Sequence, residues 1–423
     1  MVKIQLPENV SYIIGRLHDA GYEAYAVGGC VRDCILGNTP ADWDITTSAY
    51  PEQVKELFNR TIDTGIKHGT VTIMLHGEGY EVTTYRIDGD YHDGRHPDSV
   101  SFTASLDEDL KRRDFTINAF VYNNENGIID LFDGLSDLDN KIIRCVGNPM
   151  ERFTEDALRI LRALRFAARF SFTIDKATLE AAKSLGPRLA LVSAERVQCE
   201  LDKLLLSDNP GFIRLLNELE LDKIILPELC RLSDIQGLCS ALEKSPKDHY
   251  IRWTLLCYYL TAGLDKSAVE ADAPHYADKA KQILRRLKFD NKTIDTAALF
   301  IKNSLRKLPS PADAHIDTKL RRLMHDIGKD NIESYLSFRA SFCNEDENYE
   351  HCLIKCIEII EAKQCTCLKE LALNGRDLTA EGYAEGHALG LLLEELLNRV
   401  LEEPSLNNHE TLLTLAAELS NKK

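Results

Sequence analysis

The sequence has no hydrophobic run long enough to cross a membrane and no excess of positive charge. A transmembrane helix needs roughly 20 consecutive apolar residues, and the opening Met-Val-Lys-Ile-Gln-Leu-Pro does not have the character of a signal peptide. We therefore expect a soluble, cytoplasmic protein. The formal net charge of −16 argues against indiscriminate binding of polyanions, so a nucleic-acid partner would have to meet local basic patches.

The sequence also lacks the cysteine spacing that is typical of zinc sites, although it has 12 cysteines. The densest group comprises Cys352, Cys356, Cys365 and Cys367, next to His351, and its spacing matches no usual zinc motif. A cytoplasmic location keeps thiols reduced. We interpret these cysteines as buried apolar residues, with a metal site as the alternative.

Length and composition predict several domains. With 423 residues, the chain is too long for a single ordinary hydrophobic core. Its contents of 44% hydrophobic and 28% charged residues are ordinary for a soluble globular protein, so the function must be inferred from local motifs.

The most informative of these motifs begins in the segment YAVGGCVRD at residues 25–33. An apolar run ends at Gly28 and Gly29, which allow a tight turn and a close approach of backbone N–H groups to phosphate oxygens. The predicted helix that follows carries Arg32, whose guanidinium can bind the same oxygens. The pattern therefore indicates a binding site for a nucleoside triphosphate.

A pair of aspartates follows in the sequence Asp42-Trp43-Asp44. If this segment is a strand, its period of two directs both carboxylates to one face and Trp43 to the other. Two oxygen ligands on one face can share hard divalent cations. Together with the glycine turn, the pair indicates a two-metal site for phosphoryl transfer.

The combination of G-G-x-x-R-D and D-x-D resembles nucleotidyltransferases of the polymerase-β type. The similarity is closest to the bacterial tRNA nucleotidyltransferases, or class II CCA-adding enzymes, and their poly(A) polymerase relatives. It extends over the whole chain, strongly to about residue 205 and more loosely beyond it. The resemblance implies that Asp42, Asp44 and a third carboxylate, Glu81, hold two Mg²⁺ ions, and that CTP, ATP and tRNA are the substrates.

A second motif, LKRRDFTINAF at residues 110–120, resembles the family sequence R-R-D-x-x-x-N-A. The resemblance implies that Arg113 binds the triphosphate. It also implies that Asp114 accepts a hydrogen bond from the ribose 2′-OH, the group that distinguishes RNA precursors from DNA precursors. In isolation, these charged residues would instead indicate a surface ion-pair cluster.

A third motif lies on a helix predicted for residues 155–170. Asp156 can accept a hydrogen bond from the exocyclic amine of cytosine or adenine, and Arg159 can donate to the acceptor beside it. Guanine and uracil have a carbonyl where that amine would be. The family resemblance implies the same selecting role for Glu155, Asp156 and Arg159 and places Arg162 and Arg165 at the nucleotide.

Two more segments complete the comparison with the family. Glu195 and Arg196 match a helix that braces the selecting motif, so we expect them to be structural. Residues 88–97 are rich in glycine and predict a long loop, in which Asp93 and Arg95 could move between the binding of cytosine and adenine. Relatives that add only CC have a shortened loop, so this complete loop favours addition of all three nucleotides.

The predicted fold is α+β, with a polymerase-β-like head that contains a small, five-stranded mixed sheet. Helical regions follow it. The predicted domains are a catalytic head at 1–140, a neck with the selecting motif at 141–206, a body at 207–310 and a tRNA-binding tail at 311–423.

The predicted activity is template-independent addition of CCA to the 3′ end of tRNA. The alternatives are a CC-adding or A-adding relative, a poly(A) polymerase, or a non-catalytic RNA-binding protein. The sequence HDIGK at residues 325–329 also matches the core of HD phosphohydrolases, but the additional His and Asp of that site are not found in the expected helical context. Basic residues between 281 and 322 could form a track for RNA phosphates or an ordinary solvated surface.

Overall fold

The strand Ala24–Val27 lies inside the main sheet, and all four of its residues are buried. In the computed structural model, which describes residues 3–89, 100–262, 272–342, 348–383 and 385–420, the chain forms two compact units, Met1–Arg231 and Leu232–Lys423. The predicted division into four domains is finer than this and remains a prediction.

The first unit contains eleven strands among its described residues. They are β1 (Ala24–Val27), β2 (Ile45–Thr47), β3 (Thr61–Gly65), β4 (Thr70–Leu75), β5 (Glu78–Thr84), β6 (Arg86–Asp88), β7 (Val100–Phe102), β8 (Phe120–Asn123), β9 (Gly127–Asp130), β10 (Ile142–Ile143) and β11 (Thr173–Ile174). Seven of them form a mixed sheet in the order β3-β4-β5-β2-β1-β8-β9, in which only β2 and β5 are parallel neighbours. The small mixed sheet was predicted, but it has seven strands rather than five, because β3 and β9 extend its two edges.

The helices of the first unit cover both faces of this sheet and continue beyond it. They are α1 (Glu8–Asp19), α2 (Gly29–Ile35), α3 (Pro51–Leu57), α4 (Leu106–Lys111), α5 (Gly134–Asp139), α6 (Pro149–Glu155), α7 (Leu158–Phe170), α8 (Lys176–Leu185), α9 (Ala194–Leu205), α10 (Arg214–Glu218) and α11 (Asp222–Ile225). Helix α1 buries Val10, Ile13, Ile14 and Leu17 against the sheet, as their helical spacing predicts.

A hydrophobic cluster packs around β1. Tyr25 and Val27 of β1 pack there with Tyr85, Leu110 and Val121. Burial of each such side chain stabilises the fold by about 1.5–3 kcal/mol. The cluster therefore fixes β1, and with it the turn that follows β1.

The second unit contains helices and no strand among its described residues. Its helices are α12 (Ile235–Lys244), α13 (His249–Ala262), α14 (Ala273–Arg286), α15 (Asn291–Lys302), α16 (Ile316–Ile327), α17 (Ile332–Phe342), α18 (Tyr349–Glu361), α19 (Gly375–Ala380), α20 (His387–Glu402) and α21 (His409–Ser420). In the described part of the chain, no helix combines the length and apolar character needed to cross a membrane.

Candidate active site

Four acidic side chains, those of Asp42, Asp44, Glu78 and Glu81, line a cavity of about 790 Å³ beside the sheet. Asp44 directly precedes β2, and its backbone oxygen accepts a hydrogen bond from Val27 N–H at 2.9 Å. Since Ile45 is paired with Val82, Glu81 lies next to Asp44 across the sheet, and Asp42 lies two residues before it. We call Asp42, Asp44 and Glu81 the carboxylate cleft, since all three are exposed there.

The prediction that Asp-Trp-Asp forms a strand is wrong, because β2 begins only at Ile45. Backbone pairing with Val27 nevertheless holds Asp44 in register. Partial desolvation in the cleft raises the pKa of Asp44, and the nearby charges of Glu81 and Asp42 act in the same direction while Arg113 opposes them. A bound cation would relieve this repulsion.

The donor set of the carboxylate cleft consists of oxygens alone, which suits Mg²⁺. Within the described residues, however, no three His, Cys, Asp or Glu side chains lie close enough together to form a ligand group. The cleft thus has suitable chemistry for a cation, while its side chains are spread along the wall of the cavity rather than converged.

The turn between β1 and α2 requires glycine at position 28. Gly28 has φ +77°, and a Cβ atom there would lie 3.1 Å from Nη1 of Arg113. Its N–H group donates to the carbonyl of Phe120 at 3.2 Å and so belongs to the sheet. Of the two glycines, Gly29 is therefore the one whose N–H can face a ligand at the start of α2.

Arg112, Arg113 and Asp114 form a three-residue segment that connects the carboxylate cleft to helix α7. The carbonyl of Arg112 accepts a hydrogen bond from Arg159 at 3.0 Å. Arg113 lies over Gly28 and interacts electrostatically with Asp44. Asp114 accepts two hydrogen bonds from Arg162, at 2.8 and 2.6 Å. The predicted triphosphate and base-selecting residues are thus contiguous in space.

Burial alone would raise the pKa of Asp114, but the guanidinium groups of Arg162 and Arg159 outweigh it and lower that pKa to about 2. Asp114 also accepts hydrogen bonds from the backbone N–H of Phe115 at 2.8 Å and from Asn118 at 3.1 Å. It is therefore an ionised acceptor at neutral pH.

Helix α9 presents two charged residues to the selecting motif, and we call this contact the α7–α9 interface. Arg196 donates to both oxygens of Asp156, at 3.3 and 2.7 Å. One turn later, Glu200 lies 2.8 Å from Nε of Arg165. Arg196, expected to be structural, is thus in direct contact with the carboxylate of Asp156.

Three family models match successive parts of the chain. They are the poly(A) polymerase head domain at residues 24–144, the probable RNA and SrmB-binding site of polymerase A at 171–232, and tRNA nucleotidyltransferase domain 2 at 271–416. The chain is also 38% identical to the CCA-adding enzyme of Limosilactobacillus fermentum over 413 residues, which is 96% of both proteins. The chain belongs to the CCA-adding enzyme family.

Two further members of the CCA-adding enzyme family are similar to this chain. Over 209 residues it is 54% identical to the CCA-adding enzyme of Limosilactobacillus reuteri, a match that spans 49% of this chain and 52% of that protein. It is also similar to the crystal structure of the Bacillus stearothermophilus CCA-adding enzyme in complex with CTP, with a TM-score of 0.80, 32% identity and coverage of 97% and 96% of the two chains. The predicted family and α+β fold are confirmed.

Not every arginine predicted at the nucleotide is open to solvent in this CCA-adding family member. Arg32 is 3% exposed and donates to Asp33 and Asn118. Arg165 is 8% exposed, and burial lowers its pKa to about 10. Arg159 is tied to Glu155 at 2.5 Å. A contact of Arg32 or Arg165 with a nucleotide would require each to exchange its present partners.

Four residues of this region had no predicted role or only a bracing one, namely Asp109, Asn118, Arg196 and Glu200. Asp109 is fully buried and accepts two hydrogen bonds from Arg112, at 2.9 and 2.6 Å. Asp109 precedes Arg112 by three residues and Arg113 by four, and on a helix this spacing indicates ion pairs. Likewise, the four-residue spacing of Arg196 and Glu200 places both on one face of α9.

The competing motifs of the second unit have structural partners. His325 Nδ1 lies 3.2 Å from the carbonyl of Thr366, and Asp326 is paired with Arg306. Cys356 is buried, which raises the pKa of its thiol to about 12. Neither the HD sequence nor the cysteine group is part of a three-ligand cluster in the described residues.

The structure describes Arg321 and Arg322 of the predicted basic track but not the two candidate residues of the predicted loop. Arg321 is buried and donates to the carbonyl of Leu401 at 2.8 Å, so it supports the end of α20 instead of facing RNA. Arg322 is paired with Glu402 at 2.7 Å. Asp93 and Arg95 of the predicted loop lie outside the described residues.

Proposed function

We propose that this chain adds C, C and A in turn to the 3′ end of tRNA, with CTP and ATP as substrates and no nucleic-acid template. We further propose that it acts in the cytoplasm. One observation carries the proposal: the segment from Arg112 to Asp114 contacts both the glycine turn beside the carboxylate cleft and the base-selecting helix α7. Membership of the CCA-adding enzyme family supports the same activity.

The carboxylate cleft would hold the metal. Asp42 and Asp44 are the proposed ligands, with Glu81 as a third carboxylate on the adjacent strand. Bound Mg²⁺ would polarise the α-phosphate, activate the 3′-OH of tRNA and neutralise the leaving pyrophosphate. The remaining steps depend on side chains of the chain itself.

Arg113 is placed to bind the triphosphate. Burial lowers the pKa of its guanidinium, while Asp109 and Asp44 oppose that effect. Its Nε is buried without a hydrogen-bond partner in the described part of the chain, and Nη1 lies over the Gly28 turn. A phosphate oxygen at this turn would receive a charge-assisted hydrogen bond.

Base selection is assigned to Asp156 and Arg159. Asp156 is an acceptor that Arg196 holds in place, and Arg159 is a donor held by Glu155 and the Arg112 carbonyl. Cytosine and adenine share the complementary order of donor and acceptor, whereas uracil and guanine do not. Fixed protein groups would therefore replace a template strand.

Stepwise addition tests the proposal. The purified chain is given Mg²⁺ and three tRNAs that lack CCA, CA or only the terminal A, each with one labelled nucleotide at a time. We expect CTP to extend the first two and ATP only the third, with one A added. Repeated addition of A would indicate a poly(A) polymerase, and failure with either CTP or ATP alone would indicate a partial activity; both results contradict the proposal.

A further inference from the structure

We propose that Asn118 is a positioning residue for recognition of the nucleotide sugar, because it fixes the carboxylate of Asp114. The inference rests on the proposed function, since it concerns the ribose of the same CTP or ATP. It assigns a role to a buried amide that makes no predicted contact with substrate.

Asn118 is 7% exposed and connects two charged residues. Its side-chain oxygen accepts a hydrogen bond from Nη1 of Arg32, and its Nδ2 donates to Oδ1 of Asp114 at 3.1 Å. Arginine can only donate and a carboxylate can only accept, so these two neighbours fix which way the amide points. The Asn118 amide therefore links the helix after the glycine turn to the sugar-recognition carboxylate.

The two oxygens of Asp114 have different surroundings. Oδ1 accepts from Asn118 and from Phe115 N–H, both inside the protein. Oδ2 accepts both hydrogen bonds from Arg162, whose side chain is 34% exposed. Since a carboxylate has about four acceptor positions, all are filled before a nucleotide binds.

A ribose 2′-OH must therefore replace an existing hydrogen bond of Asp114. The exposed side at Oδ2 is where Arg162 can give way, while Oδ1 remains anchored by Asn118. A deoxyribose has no hydroxyl to fill the position that Arg162 leaves, so the carboxylate would lose a partner. Without the Asn118 anchor, the carboxylate can turn back towards Arg162, and the penalty against deoxyribose becomes smaller.

Two variants test this role. Asn118→Ala removes both the donor to Asp114 and the acceptor for Arg32, whereas Asn118→Asp keeps the shape and the acceptor but replaces the amide donor with a carboxyl group. Asn123→Ala is the matched control, since Asn123 is 1% exposed and its Nδ2 donates to the Ala24 carbonyl at 3.3 Å and to Asn126 at 3.1 Å. The measurement is kcat/KM for CTP and for dCTP on a tRNA that lacks CCA, with thermal melts to confirm folding.

We expect the CTP to dCTP ratio to fall about tenfold in both Asn118 variants and to stay unchanged in Asn123→Ala. In an Asp114→Ala background, Asn118→Asp should have no further effect on the ratio, which a merely structural role would not predict. An unchanged ratio in the folded Asn118→Ala and Asn118→Asp variants would overturn the inference. A wild-type chain that adds neither nucleotide would instead overturn the proposed function.

Discussion

The carboxylate cleft and the α7–α9 interface hold their charges in different ways. In the cleft, Asp42, Asp44 and Glu81 are exposed, and none has a side-chain hydrogen bond or ion pair within the described residues. At the interface, Asp156 is paired with Arg196 and Glu200 with Arg165.

The difference separates two kinds of chemistry. Carboxylates without protein partners are suited to a cation that arrives with the triphosphate. Carboxylates and guanidiniums that already have protein partners are held in one orientation before a nucleotide binds. We infer that the cleft is completed by its ligands, whereas the interface is organised by the protein.

The largest effect is expected in the cleft. Asp44→Ala removes an oxygen ligand from cations that neutralise charge in the transition state, so nucleotide addition should fall by several orders of magnitude while tRNA binding persists. Single-turnover CTP incorporation and a filter-binding assay measure the two quantities. Glu78→Gln is the control, because Glu78 lines the same cavity but is bonded to Tyr80. Near-normal addition by Asp44→Ala would show that the site is elsewhere.

At the α7–α9 interface, we expect loss of a charged side chain to lower the stability of the fold. Glu200 is 5% exposed and Arg165 is 8% exposed, so Glu200→Ala would leave a buried guanidinium without its carboxylate. We expect a loss of about 3 kcal/mol in the free energy of unfolding, measured by urea denaturation. Glu220→Ala, which removes an exposed carboxylate paired with Lys183 and Lys223, should change stability little. Equal losses in the two variants would contradict the contrast between buried and exposed pairs.

The sequence predicted the parts of the site that depend on local chemistry. The Gly28 turn and helix α2 follow from nearby residues. The single helix predicted for residues 155–170 is wrong, because α6 ends at Glu155 and α7 begins at Leu158, so that Asp156 lies between two helices. The exposure of each arginine on α7 could not be predicted in this way. Arg165 is buried where it pairs with Glu200 of α9, whereas Arg169 is exposed.

The same limit applies to the sheet. The length of β2 is set by its neighbours β1 and β5, which are distant in sequence, so the pattern Asp-x-Asp alone extended the strand too far. The burial of Arg32 could not be predicted from the local sequence, because its partner Asn118 is 86 residues away. Long-range partners, rather than local propensity, determine these features.

The stability of the fold should also depend on pH through Asp114. The pKa of Asp114 is lowered from 3.8 to about 2, so its ion pairs stabilise the fold above pH 4, and this contribution is lost as the pH falls towards 2. We expect a loss of about 2 kcal/mol across this interval. Urea denaturation at several pH values measures it, and Asp114→Asn should lack this component. An identical pH profile for the wild type and Asp114→Asn would contradict the assignment.

Asp156→Asn tests whether protein side chains select the base. The substitution keeps the shape of the side chain but supplies a donor that can face the carbonyl of uracil. The measurement is the ratio of kcat/KM for CTP and UTP on a tRNA that lacks CCA. We predict that the preference for CTP falls by about 1–3 kcal/mol, which is roughly fivefold to 150-fold. An unchanged preference, in a variant that still folds and adds CTP, would contradict the account.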